Sequence, residues 1–298
     1  MIEYDIKQKR VIIHKLEDFD PVHTFECGQC FRWRKLQNGH WFSVVRQVAG
    51  EVEWTGSDLI FYHTSPEIFE KIWRNYFDLD RNYGDLKQKL AAKDPILREA
   101  VAYGWGLRLL RQDFYETLIS FLISQNNGIP RIKKIVDSLS RGFGTPVDHP
   151  EVEDYAFPDA GVVAALSKNE LDTLRAGYRD VYIKKASEQL LLGEVTEEEL
   201  VSLETEEARL KIRCLMGVGE KVADCVLLFS GIKQDVFPVD RWVKRVMSEL
   251  YFGREADSQE ILSFSRHHFG ELAGLAQQYL FYYARDKKIG LSKEKSIL

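Results

Sequence analysis

The sequence predicts an α+β protein in which an antiparallel β-sheet comes first and a mainly α-helical part follows. Between residues 9 and 63 the segments RVIIH, CFRWRKL, HWFSVVRQV, EVEW and DLIFYH are rich in β-branched and aromatic residues and partly alternate. Turn signals separate them: Asn38-Gly39 reads as a type I′ hairpin, and Gly50 and Gly56-Ser57-Asp58 mark two more reversals. An antiparallel meander is expected. From about residue 66 the apolar residues recur at helical spacing instead.

Helices are expected over 68–75, 82–103, 114–125, 129–141, 169–175, 181–192, 197–214, 221–230, 241–251, 257–269 and 271–285. In the 129–141 stretch Ile129, Ile132, Ile135, Val136 and Leu139 share one face while Lys133 and Lys134 turn away. Asn127-Gly128 and Pro130 supply its start signal, because proline fits the first turn of a helix. The tail LSKEKSIL, 291–298, is expected to fray.

At 298 residues and 45% hydrophobic content the chain can fill two cores. No apolar run approaches the ~18 to 20 residues of a membrane span, and MIEYDIKQKR lacks the order of a secretory signal. A cytoplasmic monomer with no membrane partner is expected. Cys27, Cys30, Cys214 and Cys225 are too few and scattered for a disulfide framework, which suits a reducing compartment. Cys27 and Cys30 form a CxxC with no second pair to complete a zinc site, so a structural role is expected. Four clustered cysteines near the end are lacking too, so no iron–sulfur centre and no cofactor are expected. The net charge of −5 argues mildly against a protein that coats nucleic acid non-specifically. A local basic footprint remains compatible with it.

The most informative segment is Leu215-Met216-Gly217-Val218-Gly219-Glu220-Lys221, which lies between two helical patterns. Two glycines around one apolar residue allow a tight helix-to-helix reversal with Val218 plugging the core beneath. The second helix then presents free N–H groups and a positive dipole end, which suits a DNA phosphate at Gly217 and Gly219. An ordinary αα-hairpin would look the same from the glycines alone. Lys221 is less ordinary, because a cation in the first turn is disfavoured by the helix dipole. An amine near that end, partly desolvated, loses its proton more readily and is a competent Schiff-base nucleophile. Further on, Asp240 ends Phe237-Pro238-Val239-Asp240 and directly precedes a helical pattern. It reads as an N-cap, and a carboxylate so held stays ionised and can support positive charge on a sugar.

These two segments, 19 positions apart at Lys221 and Asp240, resemble the helix-hairpin-helix DNA glycosylases that carry a Gly/Pro-rich loop and a catalytic aspartate. The resemblance is strongest to the eukaryotic-type 8-oxoguanine glycosylases and runs over nearly the whole chain. Gly28-Gln29-Cys30-Phe31-Arg32-Trp33, Arg108-Leu109-Leu110-Arg111-Gln112-Asp113, the run from Ser120 to Arg131, and Gly177-Tyr178-Arg179 each resemble a family segment. The resemblance implies an antiparallel β domain over 1–98 packed on a two-part helical domain over 99–298, with the hairpin at 215–221. The C-terminal helices are expected to reach back toward the first domain.

It also implies a bifunctional glycosylase and AP lyase that flips 8-oxoguanine out of duplex DNA. Lys221 would attack C1′, form a Schiff base and permit β-elimination, with Asp240 as the essential carboxylate. Gly28 would offer its carbonyl to the N7–H that 8-oxoguanine has and guanine lacks. Gln277 would read the pairing edge, and Phe281 and Cys225 would sandwich the ring. Asn126 and Tyr178 would fill and wedge the vacated stack, and Arg131 and Arg179 would read the cytosine left behind. Trp242 stands where the eukaryotic members carry a phosphate-holding histidine, so phosphate contact is expected to fall to neighbours such as Lys244. The family also holds a cation through hairpin carbonyls, here those of Leu215 and Val218. A same-fold enzyme for another damaged base, or a non-catalytic damaged-DNA binding module, would share the hairpin. The second has little use for both Lys221 and Asp240.

Overall fold

The computed structural model describes residues 1–290; the tail expected to fray lies outside the described residues. Six strands make one antiparallel sheet: β1 Ile2–Asp5, β2 Arg10–Ile13, β3 Arg34–Lys35, β4 Trp41–Val45, β5 Val48–Trp54 and β6 Leu59–Tyr62, in the order β1-β2-β6-β5-β4-β3. Val11, Ile13, Trp41, Val52, Leu59 and Phe61 point to one face, where they meet Phe25, Trp33, Phe69, Trp73 and Phe77. Trp33 stacks on Phe25 with centroids 4.0 Å apart and donates its indole N–H to Tyr76 at 2.9 Å. β4 is buried at every position because the loop 144–157 covers the other face, packing Val147, Val152 and Ala156 on Phe42 and Val44.

Two turns differ from expectation. Val45 pairs with Val48, so the β4–β5 reversal lies at Arg46-Gln47, whose φ angles are 46° and 67°. Positive φ at both central residues is the type I′ geometry, adopted here without the Asn or Gly that usually announces it. Gly50 is instead inside β5, where a Cβ would lie 2.3 Å from the Trp73 ring. Its lack of a side chain makes room for the indole. At Asn38-Gly39 only Gly39 has positive φ, and its N–H bonds the Leu36 carbonyl at 3.1 Å, which is a type I turn followed by a glycine bulge. Residues 28–33 are irregular rather than a strand.

The helical part carries the elements that build the site: α1 Phe114–Ser124, α2 Ile129–Phe143, α3 Arg179–Leu191, α4 Thr205–Ile212, α5 Glu220–Phe229, α6 Arg241–Val246 and α7 Ala273–Lys287. The expected 82–103 helix is two, Tyr83–Ala91 and Pro95–Tyr103, because Asp94 caps the second through the Leu97 N–H at 2.7 Å and Pro95 opens it. Likewise Glu204 caps α4 and breaks the expected 197–214 stretch after Ser202. None of the helices described is long and apolar enough to cross a membrane.

The two cores meet along residues 107–112. Leu107 and Leu109 enter the helical core and Leu110 the sheet core. The Gln29 side chain, fully buried, bridges the seam: its amide N–H groups bond the Thr24 and Arg108 carbonyls, both at 2.8 Å, and its oxygen accepts the Leu110 N–H at 2.9 Å. α7 closes the seam from the other side, where Tyr279 donates to the Leu107 carbonyl at 3.0 Å.

The covering loop is tied to the sheet by one carboxylate. Glu51, buried in β5, accepts from His40 at 2.6 Å, Asn38 at 3.0 Å and His149 Nε2 at 3.2 Å, with His63 at 3.6 Å. Two imidazoles and a carboxylate at such distances resemble metal ligands. However, His149 Nδ1 accepts the backbone N–H groups of Glu151 and Val152, so the proton of the neutral ring sits on Nε2 and is donated to Glu51. The group is a hydrogen-bond network. Burial alone would raise the Glu51 carboxyl, but His40 and Asn38 outweigh it and hold it below the usual range. Burial pushes His149 down, against the pull of Glu51.

Both folded values are depressed, so both groups contribute stability above their unfolded pKa and lose it as pH falls through the folded one. His149, ordinarily near 6.5, gives up its share as pH drops from 7.5 to 5, whereas Glu51, ordinarily near 4.5, does so only below that. The protection of the Val147 and Ala156 amides, which bond Asp154 and Thr145 carbonyls at 3.0 and 2.7 Å, should therefore fall over the upper interval through His149. Hydrogen exchange measures this, and protection unchanged to pH 5 would contradict it.

Candidate active site

The hairpin forms where the sequence places it. α4 and α5 are joined across 213–219, with Val218 buried beneath the turn and its N–H on the Leu215 carbonyl at 3.1 Å. A buried ion pair, Arg209 Nε to Asp224 at 2.6 Å, locks the two helices together. Gly217 and Gly219 differ in what they require. Gly217 has φ +84°, and a Cβ there would meet the Tyr182 ring of α3 at 2.5 Å. Gly219 caps α5 in an extended conformation, and a Cβ there would meet nothing within 4 Å. The first glycine lets the hairpin seat on α3. The second leaves the N-terminus of α5 open to a phosphate.

Lys221 lies in the first turn of α5. Its Nζ is 3.3 Å from Ser124 Oγ and 5.0 Å from the centroid of Phe121, both on α1. Ser124 gives its own proton to the Phe121 carbonyl at 2.8 Å, which leaves its oxygen as the acceptor for the lysine. Asp240 is the N-cap of α6, and one carboxylate oxygen accepts the Val243 N–H at 2.8 Å. Lys221 and Asp240 line one cleft of about 540 Å³ with Ser124, Asn126, Trp242 and Lys244. Lys244 pairs with Glu255 at 3.1 Å, and Trp242 occupies the cleft wall with the Arg245 guanidinium over its ring.

One turn after Lys221, Cys225 is buried, and burial pushes its thiol up to about 12, so it is a neutral thiol. Gly28, with φ +88°, abuts α7: a Cβ there would meet Phe281 at 3.2 Å, Arg285 at 3.6 Å and Ile129 at 3.6 Å. Gln277 is buried, and its amide oxygen has no hydrogen-bond partner among the described residues. An orphaned acceptor costs about 1–3 kcal/mol unless a ligand supplies a donor.

The residues expected at the opposite base converge on the α1–α2 loop. Asn126 is exposed with φ +48°, a left-handed conformation that asparagine tolerates. Arg179 is buried, donating to the carbonyls of Gln125, Asn126 and Ala176 and stacking 4.4 Å from Tyr178. It braces the loop. Arg131 is exposed and donates to the Arg175 carbonyl at 3.2 Å, and Tyr178 is half-exposed, with its hydroxyl 3.4 Å from the Gln125 carbonyl.

Three contributors escaped the sequence reading. Ser124 holds the lysine; Gln125 donates to the Gly217 carbonyl at 3.1 Å and so ties the loop to the hairpin; Gln278 donates to the Cys27 carbonyl at 3.0 Å. Their signal was polarity out of place: Ser124-Gln125 ends an apolar helix, and Gln278 sits in a helix buried at nearly every position from 273 to 282.

A fold of this kind, with a phosphate-ready hairpin, a first-turn lysine and a capping aspartate, is that of a base-excision repair protein. Residues 119–268 match the HhH-GPD superfamily of base excision DNA repair proteins, and residues 11–118 match the N-terminal domain of 8-oxoguanine DNA glycosylase. The chain belongs to that superfamily, in its 8-oxoguanine DNA glycosylase branch. A probable N-glycosylase/DNA lyase of Methanothermobacter thermautotrophicus is 30% identical over 90% of this chain and 94% of its own. The Clostridium acetobutylicum 8-oxoguanine glycosylase/lyase, solved with double-stranded DNA containing cytosine opposite 8-oxoguanine, is 40% identical with a TM-score of 0.92, covering 97% of this chain and 99% of that one. MBOgg1, solved with a low-affinity DNA ligand, is 41% identical with a TM-score of 0.93 over 97% and 99%.

The two glycines should respond differently to alanine. Gly217→Ala forces a methyl into Tyr182 and should destabilise the fold by about 1–3 kcal/mol. Gly219→Ala should leave thermal melting nearly unchanged yet weaken duplex binding, because the methyl stands where a phosphate must approach. Equal melting losses in both would contradict the assignment.

Proposed function

We propose that the chain is a bifunctional DNA glycosylase and AP lyase that excises 8-oxoguanine from duplex DNA. The observation that carries this is the placement of Lys221 and Asp240 in one cleft; the orphaned Gln277 amide oxygen on α7 and the approach of Gly28 to Phe281 of the same helix support the base reading. An acceptor without a partner calls for a donor on the base, and guanine-type pairing edges present N1–H and N2–H groups where adenine's N1 is an acceptor. The Gly28 carbonyl then selects N7–H over the lone pair of guanine N7. The relatives named above, glycosylase/lyases among them, support the same substrate class.

In this mechanism the hairpin N-terminus holds a backbone phosphate and the lesion leaves the stack for the space between Phe281 and Cys225. The Lys221 amine attacks C1′ as the C1′–N9 bond breaks, that bond's electron pair leaving with the base. Asp240 stabilises the oxocarbenium-like charge and takes the proton that the attacking nitrogen sheds. Ring opening gives a Schiff base, loss of a C2′ proton expels the 3′ phosphate, and the strand is nicked 3′ to the lesion. Asn126 and Tyr178 occupy the vacated stack, and Arg131 faces the cytosine left behind, whose acceptors suit a guanidinium fork, while Arg179, its nitrogens engaged by the Gln125, Asn126 and Ala176 carbonyls, holds the loop from which that reading is made. The carbonyls of Leu215 and Val218 are hard oxygen donors of the type a cation takes, but they supply two of the six or so ligands such an ion needs, and no step depends on one. The cytoplasm of a bacterial or archaeal cell, beside the nucleoid, is the compartment this reading assigns.

Lys221→Gln should abolish both base release and nicking on a duplex with 8-oxoguanine opposite cytosine, while still binding that duplex. Asp240→Asn should slow single-turnover base release by about 10²- to 10⁴-fold. Full excision by either variant would overturn the role assigned to that residue.

A further inference from the structure

Four successive carbonyls, those of residues 26 to 29, run along the seam beside α7. Three have a side-chain donor. Arg285 Nη2 bonds the Glu26 carbonyl at 2.9 Å, Gln278 Nε2 the Cys27 carbonyl at 3.0 Å, and Gln112 Nε2 the Gln29 carbonyl at 2.7 Å. The Gly28 carbonyl has no donor among the described residues. Gln278 and Cys27 are both buried, so their bond is shielded from water. Gln278, Phe281 and Arg285 are spaced three and four apart and so share one face of α7, the face that meets Gly28.

We propose that Gln278, assisted by Arg285, is a positioning residue for base discrimination: it fixes the Cys27–Gly28 peptide, and with Gln112 holding the Gln29 carbonyl on the far side, the Gly28–Gln29 peptide between them is kept presenting the Gly28 carbonyl, and nothing else, to the N7 edge. This rests on the reading of the site as an 8-oxoguanine pocket. The physical need is specific. Selection of N7–H over a lone pair depends on the Gly28 oxygen staying aligned, because a hydrogen bond weakens steeply below about 120°. A glycine has freedom at both φ and ψ. If its peptide turned over, an N–H would face the pocket, and that donor would welcome guanine N7. Donors on the carbonyls to either side resist the turn, and by saturating those carbonyls they leave Gly28 as the one free acceptor in the run.

The test compares wild type with Gln278→Met, which keeps length and apolar bulk but cannot donate, on three duplexes: 8-oxoguanine opposite cytosine, guanine opposite cytosine, and a preformed abasic site opposite cytosine. Single-turnover base release from 8-oxoguanine should fall about tenfold, the loss of one aligned hydrogen bond, and the preference over guanine should narrow. Cleavage at the abasic site, which needs no base reading, should stay within about twofold of wild type. Parallel loss on the 8-oxoguanine and abasic duplexes would show a merely structural role, and unchanged release and preference would equally overturn the inference. Should Gln278→Met lose its cooperative melt, Arg285→Met, at a partly exposed position, carries the same test with the same opposing outcomes. A wild type that releases no 8-oxoguanine would sink the substrate reading itself, a result distinct from either.

Discussion

The bridge made by Gln29 is the constraint on which the site depends. The sheet core and the helical core each pack through their own apolar contacts, and the pocket proposed for the base draws on the seam between them. The pocket exists only where residues 24–29 are held against 107–112 and α7. One buried amide satisfies three backbone groups across that seam, and each left unpaired would cost about 1–3 kcal/mol. The relative placement of the two cores is thereby specified by hydrogen bonding, which is directional, as well as by packing, which tolerates sliding. Gly28 is the next residue back along the chain, so its approach to Phe281 follows from the same constraint.

The hairpin solves a second problem, how to bring a cation near DNA without spending it on an ion pair. Lys221 projects from a helix N-terminus whose dipole opposes its charge, and its partners are a serine hydroxyl and an aromatic face. Asp240 stays in the same cleft with one oxygen engaged by its helix cap. The cap thus leaves the second carboxylate oxygen of Asp240 for the role proposed for it. The opposite-base side is organised by bracing: Arg179 is largely consumed in holding the Asn126 backbone in a left-handed turn, and Arg131 is left exposed.

Much of this was legible in the sequence, and the exceptions have physical causes. Gly217, Lys221 and Asp240 could be read because each depends on local rules of turns, dipoles and caps. The β4–β5 reversal was misplaced onto Gly50 because glycine serves two purposes, and here it clears space for Trp73, a contact 23 residues away in sequence. The two capped breaks, at Asp94-Pro95 and Glu204, carried ordinary cap signals that an unbroken apolar rhythm hid. Residues 28–33 look like a strand by composition, but side chains from elsewhere in the chain hold their backbone, Gln112 on the Gln29 carbonyl and Lys133 on the Trp33 carbonyl, and Gln278 holds the Cys27 carbonyl just before them. Such long-range glutamine bonds leave no periodic trace beyond a polar residue out of place, so the partners of Gln278 and Gln125 emerge only in three dimensions.

On the proposed reading the seam delivers the flipped sugar to one particular amine, that of Lys221. Borohydride reduction of the wild-type enzyme on a duplex with 8-oxoguanine opposite cytosine, followed by proteolysis and mass spectrometry of the DNA-linked peptide, tests it most directly. A single adduct on Lys221 is expected. An adduct on Lys244, Lys133 or the N-terminal amine, or none at all, would contradict it.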